Sequence, residues 1–464
     1  MVTFVFLYTD LLLWLLVIIA LIFLVAFRKA PYLRFVFFNL KTSKLGVICG
    51  LILLLYLLIA LCDSIHFKRM VIADDGSAYT KAYSESILDL YLSPWQDLSE
   101  TTYSLPFSKQ SFVKSSEIDN HGKMIRTYAQ LIQIQPLPYQ ALSRANNIVM
   151  LVLLGCLKAF VFIMSLFILW VLYNRFYFKV SYQCILYRLI NRQFETAWLS
   201  FWLTLFVLAA LCFITYQLLP YFHILGTDKV GNDVLYQAMK SIRTAIIIGT
   251  VTTLILLPFA VILGVLSGYF GGFIDDLIQY IYTTLNSIPG ILLIASFSLL
   301  LSVIMSQYSQ HFASSLQRSD LRLLGLCIIL GITSWSSLCR LLRAETLKIK
   351  QLDYVMAAKS LGSSHLVILK KHILPNIVYL ILISIVLDFS GLVLAETVLS
   401  YVGIGVDPTM ASWGNMINSA RLELAREPII WWPLLAAFVF MFILVLAANL
   451  FADVIRDALD PKLN

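Results

Sequence analysis

RAETLKIKQLDYVMAAKSLGSSHLVILKKHILPN, residues 343–376, lies between two long apolar stretches, and its reading decides how the rest of the chain is understood. Arg343, Lys348, Lys350, Lys359, Lys370 and Lys371, with Arg340 just ahead, make it basic, and basic loops of a membrane protein stay in the cytoplasm. Its centre predicts a short helix: Tyr354, Ala357, Ala358 and Leu361 fall at i, i+3, i+4 and i+7, a single apolar stripe. Gly362 can end that helix in a left-handed cap, Ser363 and Ser364 can start another, and Pro375 is expected to break the second at the membrane edge. A helix centred on two alanines lets a partner's backbone come close, and a stripe this narrow cannot form a core alone. Two readings stand: a docking helix presented to a soluble partner, or a basic loop whose helix lies on the bilayer surface.

Composition decides the class of protein. Of 464 residues, 60% are hydrophobic and only 13% charged, with a mean hydropathy of +0.85. A soluble domain cannot hide that much apolar surface, so an all-α polytopic membrane protein embedded in a lipid bilayer is expected. The net charge of +8 is spread over loops between apolar spans, which is topological information and not a nucleic-acid footprint. The seven cysteines form no CxxC pair and the six histidines no HExxH, so no metal, cofactor or disulfide framework is implied. No signal peptide is expected, because the first apolar run, about residues 4–27, is too long for an h-region and its basic residues follow it.

Taken in order, that run is a retained span with its N-terminus outside, followed by a basic loop (Arg28, Lys29, Arg34) and a second span at about 45–62. Residues 63–147 are polar and form an extracytoplasmic insert, for which Tyr79, Tyr83, Leu88, Leu90, Tyr91 and Trp95 could supply packing and Pro136 and Pro138 mark the return. Two more spans, 148–172 and 197–219, flank a loop carrying Arg175, Lys179, Arg188 and Arg192. Residues 223–244 read as an outer interfacial helix capped by Asn232, and 245–266 as a span ending in an inner turn, GYFGGFIDD (268–276), with three glycines for positive φ. The next span, 277–305, contains Pro289-Gly290, which can kink or break it, either to line a cavity or for packing alone. Spans at 321–342, 377–399 and 429–450 complete a set of about nine, an alternation that puts every basic loop and the C-terminus inside.

The run from Tyr354 to Gly362, followed by HILPN at 372–376, resembles the EAA loop of ABC-importer permeases, although Met356 stands where that motif has Glu. From His223 onward, LGTDKVGNDVL, GYFGG, LAETVLSYVGIGV, SWGNM and RDALDPKL resemble, in this order, a permease of the dipeptide, oligopeptide and nickel importer family. The resemblance implies a type I permease core over 223–464 with a coupling loop at 343–376. Before it stand residues 1–62 (an extra helix and a candidate first family helix), the insert 63–147, and two extra helices in 148–222. Residues 37–58 also resemble the family's first helix, and an alternative alignment assigns that place to 197–219.

The resemblance further implies a bacterial inner-membrane protein that works with a second permease subunit, two cytoplasmic ATPase subunits or domains and an extracytoplasmic substrate-binding protein. The coupling contacts to an ATPase would come from Asp353, Tyr354, Met356, Ala357, Ala358, Leu361 and Gly362. No GxxxxGK[ST] occurs, so a non-catalytic transport subunit is expected, with ATP hydrolysed elsewhere. Asp388 and Glu396 lie in one apolar span, about 80° apart around a helix. With Pro289 they are candidates for the translocation path, or else they make buried packing contacts. An ion-coupled secondary transporter using those two acids is the competing function.

Overall fold

The structure, a computed structural model, describes residues 2–26, 31–72, 78–80, 84–92, 100, 102–118, 124–131, 138, 143–178, 197–307 and 315–459. Among the described residues there are six short strands: β1 (Val2–Val5), β2 (His66–Ile72), β3 (Ala78–Thr80), β4 (Glu85–Ser86), β5 (Gln110–Ile118) and β6 (Met124–Gln130). The helices of the first half are α1 (Tyr8–Ala26), α2 (Pro31–Thr42), α3 (Lys44–Ser64), α4 (Ile87–Leu92), α5 (Arg144–Phe178) and α6 (Trp198–Leu218). They continue with α7 (Val234–Phe270), α8 (Gly272–Ser287), α9 (Gly290–Gln307), α10 (Ser315–Lys350) and α11 (Asp353–Ser360). The last are α12 (His365–Ile368), α13 (Leu374–Val402), α14 (Trp413–Ala420) and α15 (Trp432–Leu459). Among the described residues, eight helices are long and apolar enough to cross a membrane, and Tyr8–Ile22 of α1 is a shorter apolar helix. The chain is an all-α polytopic membrane protein with a small β-containing insert.

Several elements differ from expectation. Phe4 and Val5 belong to β1, not to the first helix, and pair antiparallel with Phe67 and His66. Residues 223–244 do not make a separate interfacial helix: α7 starts at Val234 and runs unbroken to Phe270. Asp233, not Asn232, receives the Tyr236 amide at 2.9 Å. No breaker interrupts α7 at its entry, and Lys240 is taken up by Asp89 (2.9 Å) and Asp63 (3.5 Å). Of the three turn glycines only Gly271 and Gly272 have positive φ; Gly268 lies inside α7. Pro289-Gly290 breaks its span outright into α8 and α9. Pro375, by contrast, breaks nothing. A π-turn at Leu369–Ile373 leads directly into α13, widening the ladder where the proline amide is missing.

The chain clusters into two compact units, one of Met1–Val5, Lys29–Arg243 and Ala411–Val454, the other of Phe6–Arg28, Thr244–Met410 and Ile455–Asn464. In the first, Tyr56 of α3 donates to the Phe440 carbonyl of α15 at 3.0 Å. Helices α5 and α6 pack through Phe167 on Trp202 and Trp170 on Trp198. In the insert β2 is central, flanked by β1, β3 and β4, while β5 and β6 form a separate hairpin. Leu88 and Leu92, four apart on α4, are buried against Leu219 and Leu235. Leu90, on the far side of that turn, is 45% exposed, against expectation. Tyr83, Trp95, Pro136 and the basic residues Arg28, Lys29, Lys179, Arg188 and Arg192 lie outside the described residues.

A buried polar cluster joins insert to helix. Ser86 donates to Asp63 (2.6 Å), Tyr236 and Lys240 to Asp89 (both 2.9 Å). Each carboxylate is thereby compensated, and deleting one partner of such a group costs about 3 kcal/mol or more. The loop before α7 is fastened similarly. Thr227 bonds Thr102 and Ser104, the Glu100 amide donates to Gly231 at 3.0 Å, and Trp432 donates to the Thr227 carbonyl at 3.0 Å. Gly231 needs its positive φ of 86° and its bare Cα, because a Cβ would strike the Glu100 backbone.

In the second unit, the amide and hydroxyl of Thr9 both donate to Asp320 of α10, so a buried carboxylate satisfies the first turn of α1. Helices α7 and α10 meet at glycines. A Cβ at Gly264 would hit the Cys339 carbonyl, one at Gly268 the Arg343 carbonyl, and one at Gly331 the side chain of Ile255. GVLSG at 264–268 is thus a small-residue seam that lets two helix backbones touch.

His223 generates a prediction. Its Nδ1 lies 2.8 Å from Asp233 and its Nε2 3.6 Å from Glu100, with all three nearly sealed from solvent. Burial disfavours the imidazolium, but the hydrogen bonds and charges of the two carboxylates outweigh it, raising His223 above ordinary histidine. A raised folded value means that its stabilisation is complete below the unfolded value of about 6.5 and fades as pH rises through the folded one. Protection of the insert against protease should therefore weaken as pH rises above the ordinary histidine value of about 6.5, and His223→Gln should flatten that dependence.

Candidate coupling interface

The best-defined exposed feature of the second unit is α11 and the turns around it. Helix α10 ends in two tight amide bonds, Gln351 to Lys348 and Leu352 to Ile349 (both 3.1 Å), after which Leu352 turns extended and α11 begins. Asp353 in the first turn suits the positive end of the helix dipole. At the far end Gly362 takes φ 77°. Its amide reaches Lys359 and that of Ser363 reaches Ala358, both at 3.1 Å, the two bonds of a Schellman cap. Ser364 then sits extended ahead of α12, with its carbonyl receiving Val367 and Ile368.

The stripe read from the sequence faces outward. Within α11 Val355 alone is buried, and its neighbours carry the exposed surface: Tyr354, Met356 (53%), Ala357 and, beyond the helix, Leu361 (86%) and Leu366 (69%). Ala358 is half-buried, and Asp353 is exposed. Large apolar side chains projecting together from a loop rimmed by lysines mark a contact surface. Met356 contributes an apolar, flexible side chain where a carboxylate would have offered a charge.

Three contacts that sequence reading missed hold this loop. Asn376 donates to the Tyr354 hydroxyl at 3.0 Å and to the His372 carbonyl at 2.6 Å, tying α11 to the first turn of α13. The Tyr269 hydroxyl meets His365 Nδ1 at 2.8 Å, and Phe270 packs on the same ring, tying α12 to the end of α7. Lys350 lies over the Tyr269 ring, 5.9 Å from its centre. Apart from Asn376 and His372, four residues apart, none of these pairs has a fixed spacing in sequence, so only the fold brings them together.

The candidate path residues are placed differently. Glu396 is buried (3% exposed) and accepts from Ser400 at 2.7 Å, while Ser400 in turn accepts the Val406 amide. Asp388 is half-buried in α13, with no hydrogen bond or ion pair to a described side chain among those found. Pro289 is exposed between α8 and α9, its carbonyl receiving the amides of Leu292 and Leu293. No group of three metal-ligating side chains occurs among the described residues.

Residues 260–464 match the family described as binding-protein-dependent transport system inner membrane component. The dipeptide transport system permease protein DppC of Bacillus subtilis is 32% identical over 242 residues, covering 52% of this chain and 69% of that protein. The oligopeptide transport system permease protein OppC of the same organism is 32% identical over 241 residues, covering 52% and 72%. The glutathione transport system permease protein GsiD of Pectobacterium atrosepticum is 29% identical over 304 residues, covering 59% and 94%. Among solved structures, the inward-facing MetNI methionine ABC transporter superposes with a TM-score of 0.36 and 17% identity, covering 48% of this chain and 96% of that one.

The cap gives a local prediction. A Cβ at Gly362 would meet open space, so the cost of Gly362→Ala is backbone strain alone, about 1 kcal/mol. Gly362→Asn, which tolerates the left-handed region, should cost less. Amide hydrogen exchange over 358–363 should rank the three as wild type slowest, Asn intermediate and Ala fastest.

Proposed function

This chain belongs to the family of binding-protein-dependent transport system inner membrane components, and we propose that α11 is the helix through which a cytoplasmic ATPase drives it. The chain is a permease subunit of an ABC importer. In the arrangement proposed, it forms a pore with a second permease, binds one of two ATPase subunits or domains, and receives substrate from an extracytoplasmic binding protein. ATP hydrolysis falls to the ATPases. Peptides are the substrate class favoured by the dipeptide, oligopeptide and glutathione relatives.

The observation that carries the coupling role is the exposure of Tyr354, Met356, Ala357 and Leu361 on a helix whose ends are both fastened. A fastened helix passes on a push, whereas a loose one absorbs it. Asp353 and Gly362 delimit this surface, and Ala358 lies at its edge. The orientation proposed has the N-terminus outside and the C-terminus in the cytoplasm of a bacterial cell. It is supported by the pairing of β1 with β2, which leaves α3 at the end remote from Lys41 and Lys44.

The core proposed spans 223–464, after extra helices in 1–62 and 148–222 and the insert 63–147. Asp388, Glu396 and Pro289 stand as path candidates, with Asp388 the better placed of the two acids because Glu396 already engages Ser400. The relatives lend no support to an ion-coupled transporter built on those acids.

Ala357→Arg puts a long cation in the middle of the contact surface without touching Val355. It should lower co-purification of the ATPase at least about tenfold while leaving membrane insertion intact, since a buried unpaired charge costs several kcal/mol. Undiminished capture would count against the docking role.

A further inference from the structure

Between the coupling loop and the break at Pro289, helix α8 is joined to α10 by a run of polar contacts that membership of the family does not explain. At the loop end, Arg343 forks onto Asp275, Nε to Oδ1 and Nη2 to Oδ2, both at 2.6 Å. Ser267 of α7 donates to the same carboxylate, so one side chain gathers three helices. Farther along, the Arg340 guanidinium lies over the Tyr282 ring, 5.6 Å from its centre. At the far end, Ser336 donates to Asn286 at 3.0 Å. As the residue number climbs along α8 (275, 282, 286) it falls along α10 (343, 340, 336), as in an antiparallel pair. On each helix the three positions recur at helical spacing and share one face.

The other face of α8 carries exposed Phe273 (80%), Leu277 and Tyr280 (71%). Its last residue, Ser287, is followed by extended Ile288 and then Pro289. Helix α8 therefore has one polar edge by which it is held and one interruption at which it can turn. Helix α10 has no interruption from Ser315 to Lys350, ending three residues before α11.

We infer that Asp275, Arg343, Arg340, Tyr282, Asn286 and Ser336 form a ladder that makes α8 move with α10, so that displacement of α11 is delivered to the Ile288–Gly290 break. These are positioning residues. The inference rests on the coupling role of α11, and it adds the route by which the stroke leaves the loop. The planar guanidinium fork is the rung that fixes direction, because a lysine ammonium supplies charge without the second parallel bond. The Arg343 guanidinium bonded to Asp275 holds that carboxyl down at about 2, against the opposing effect of burial. Its stabilisation is present above the unfolded value and lost only as pH falls through the folded one, so the rung stays charged at every pH at which a cell grows.

The test uses the complete importer in proteoliposomes with its ATPase and binding protein, reading ATPase co-purification, ATP hydrolysis and substrate transported per ATP. Asp275→Asn and Arg343→Lys should keep co-purification and hydrolysis within about twofold of wild type while transport per ATP falls about tenfold, and the reversed pair D275R/R343D should recover much of that loss, as a double-mutant cycle requires of a direct contact. Ser336→Ala, which removes one hydroxyl and leaves a good helix former, should give a smaller fall in the same ratio. An unchanged ratio in Asp275→Asn, a reversed pair no better than its single variants, or a loss of assembled protein in proportion to every lost activity would overturn the ladder. Normal ATPase capture by Ala357→Arg would overturn the docking role of α11 instead, so the two failures are told apart.

Discussion

Hydrocarbon offers a backbone amide no partner, and that constraint shapes this chain more than any single contact. It makes the apolar runs continuous helices and pushes irregular backbone to their ends: the turn at Gln351 and Leu352, the cap at Gly362, the extended residue Ile288. Where sequence threatens the rule, the structure bends and does not break, as in the π-turn ahead of Pro375. A helix forced to be continuous is also stiff. In the coupling proposed, the requirement that keeps α10 intact across its span lets a push at one end arrive at the other.

Charges obey the same constraint by pairing. Asp320 accepts from the first turn of α1, Asp63 and Asp89 share Lys240, Asp275 takes Arg343, and Glu396 takes Ser400. All of these but the Glu396–Ser400 pair, four apart on α13, hold two pieces of chain that the sequence keeps far apart. In the first unit the effect is to lash the insert to the base of α7 and the loop before it. In the second it is to bind α7, α8 and α10 together beside α11. The permease thus uses apolar surface to enter the membrane and polar pairs to hold helices to one another.

Much of this was legible in the chain itself. Long apolar runs gave the spans, and the i, i+3, i+4, i+7 stripe with Gly362 behind it gave α11 and its cap. The misreadings share a cause, which is that a residue was judged without its partner. Residues 223–244 were set apart from the span because Asp63 and Asp89, which take up Lys240, lie in a distant segment. Gly268 was assigned to a turn because the carbonyl of Arg343, which it must admit, is not visible in sequence. β1 was absorbed into the first helix because its partner strand begins at His66. Local periodicity reports the face of a helix, but not what waits opposite.

The whole account turns on α11 facing the compartment that holds ATP. Leu361, the most exposed large side chain of the loop, is the natural reporter. In a background freed of native cysteines, Leu361→Cys should react with a membrane-impermeant thiol reagent in inside-out vesicles and not in intact spheroplasts, and addition of the purified ATPase should slow the reaction. Labelling from the outer face of spheroplasts would contradict the account at its root.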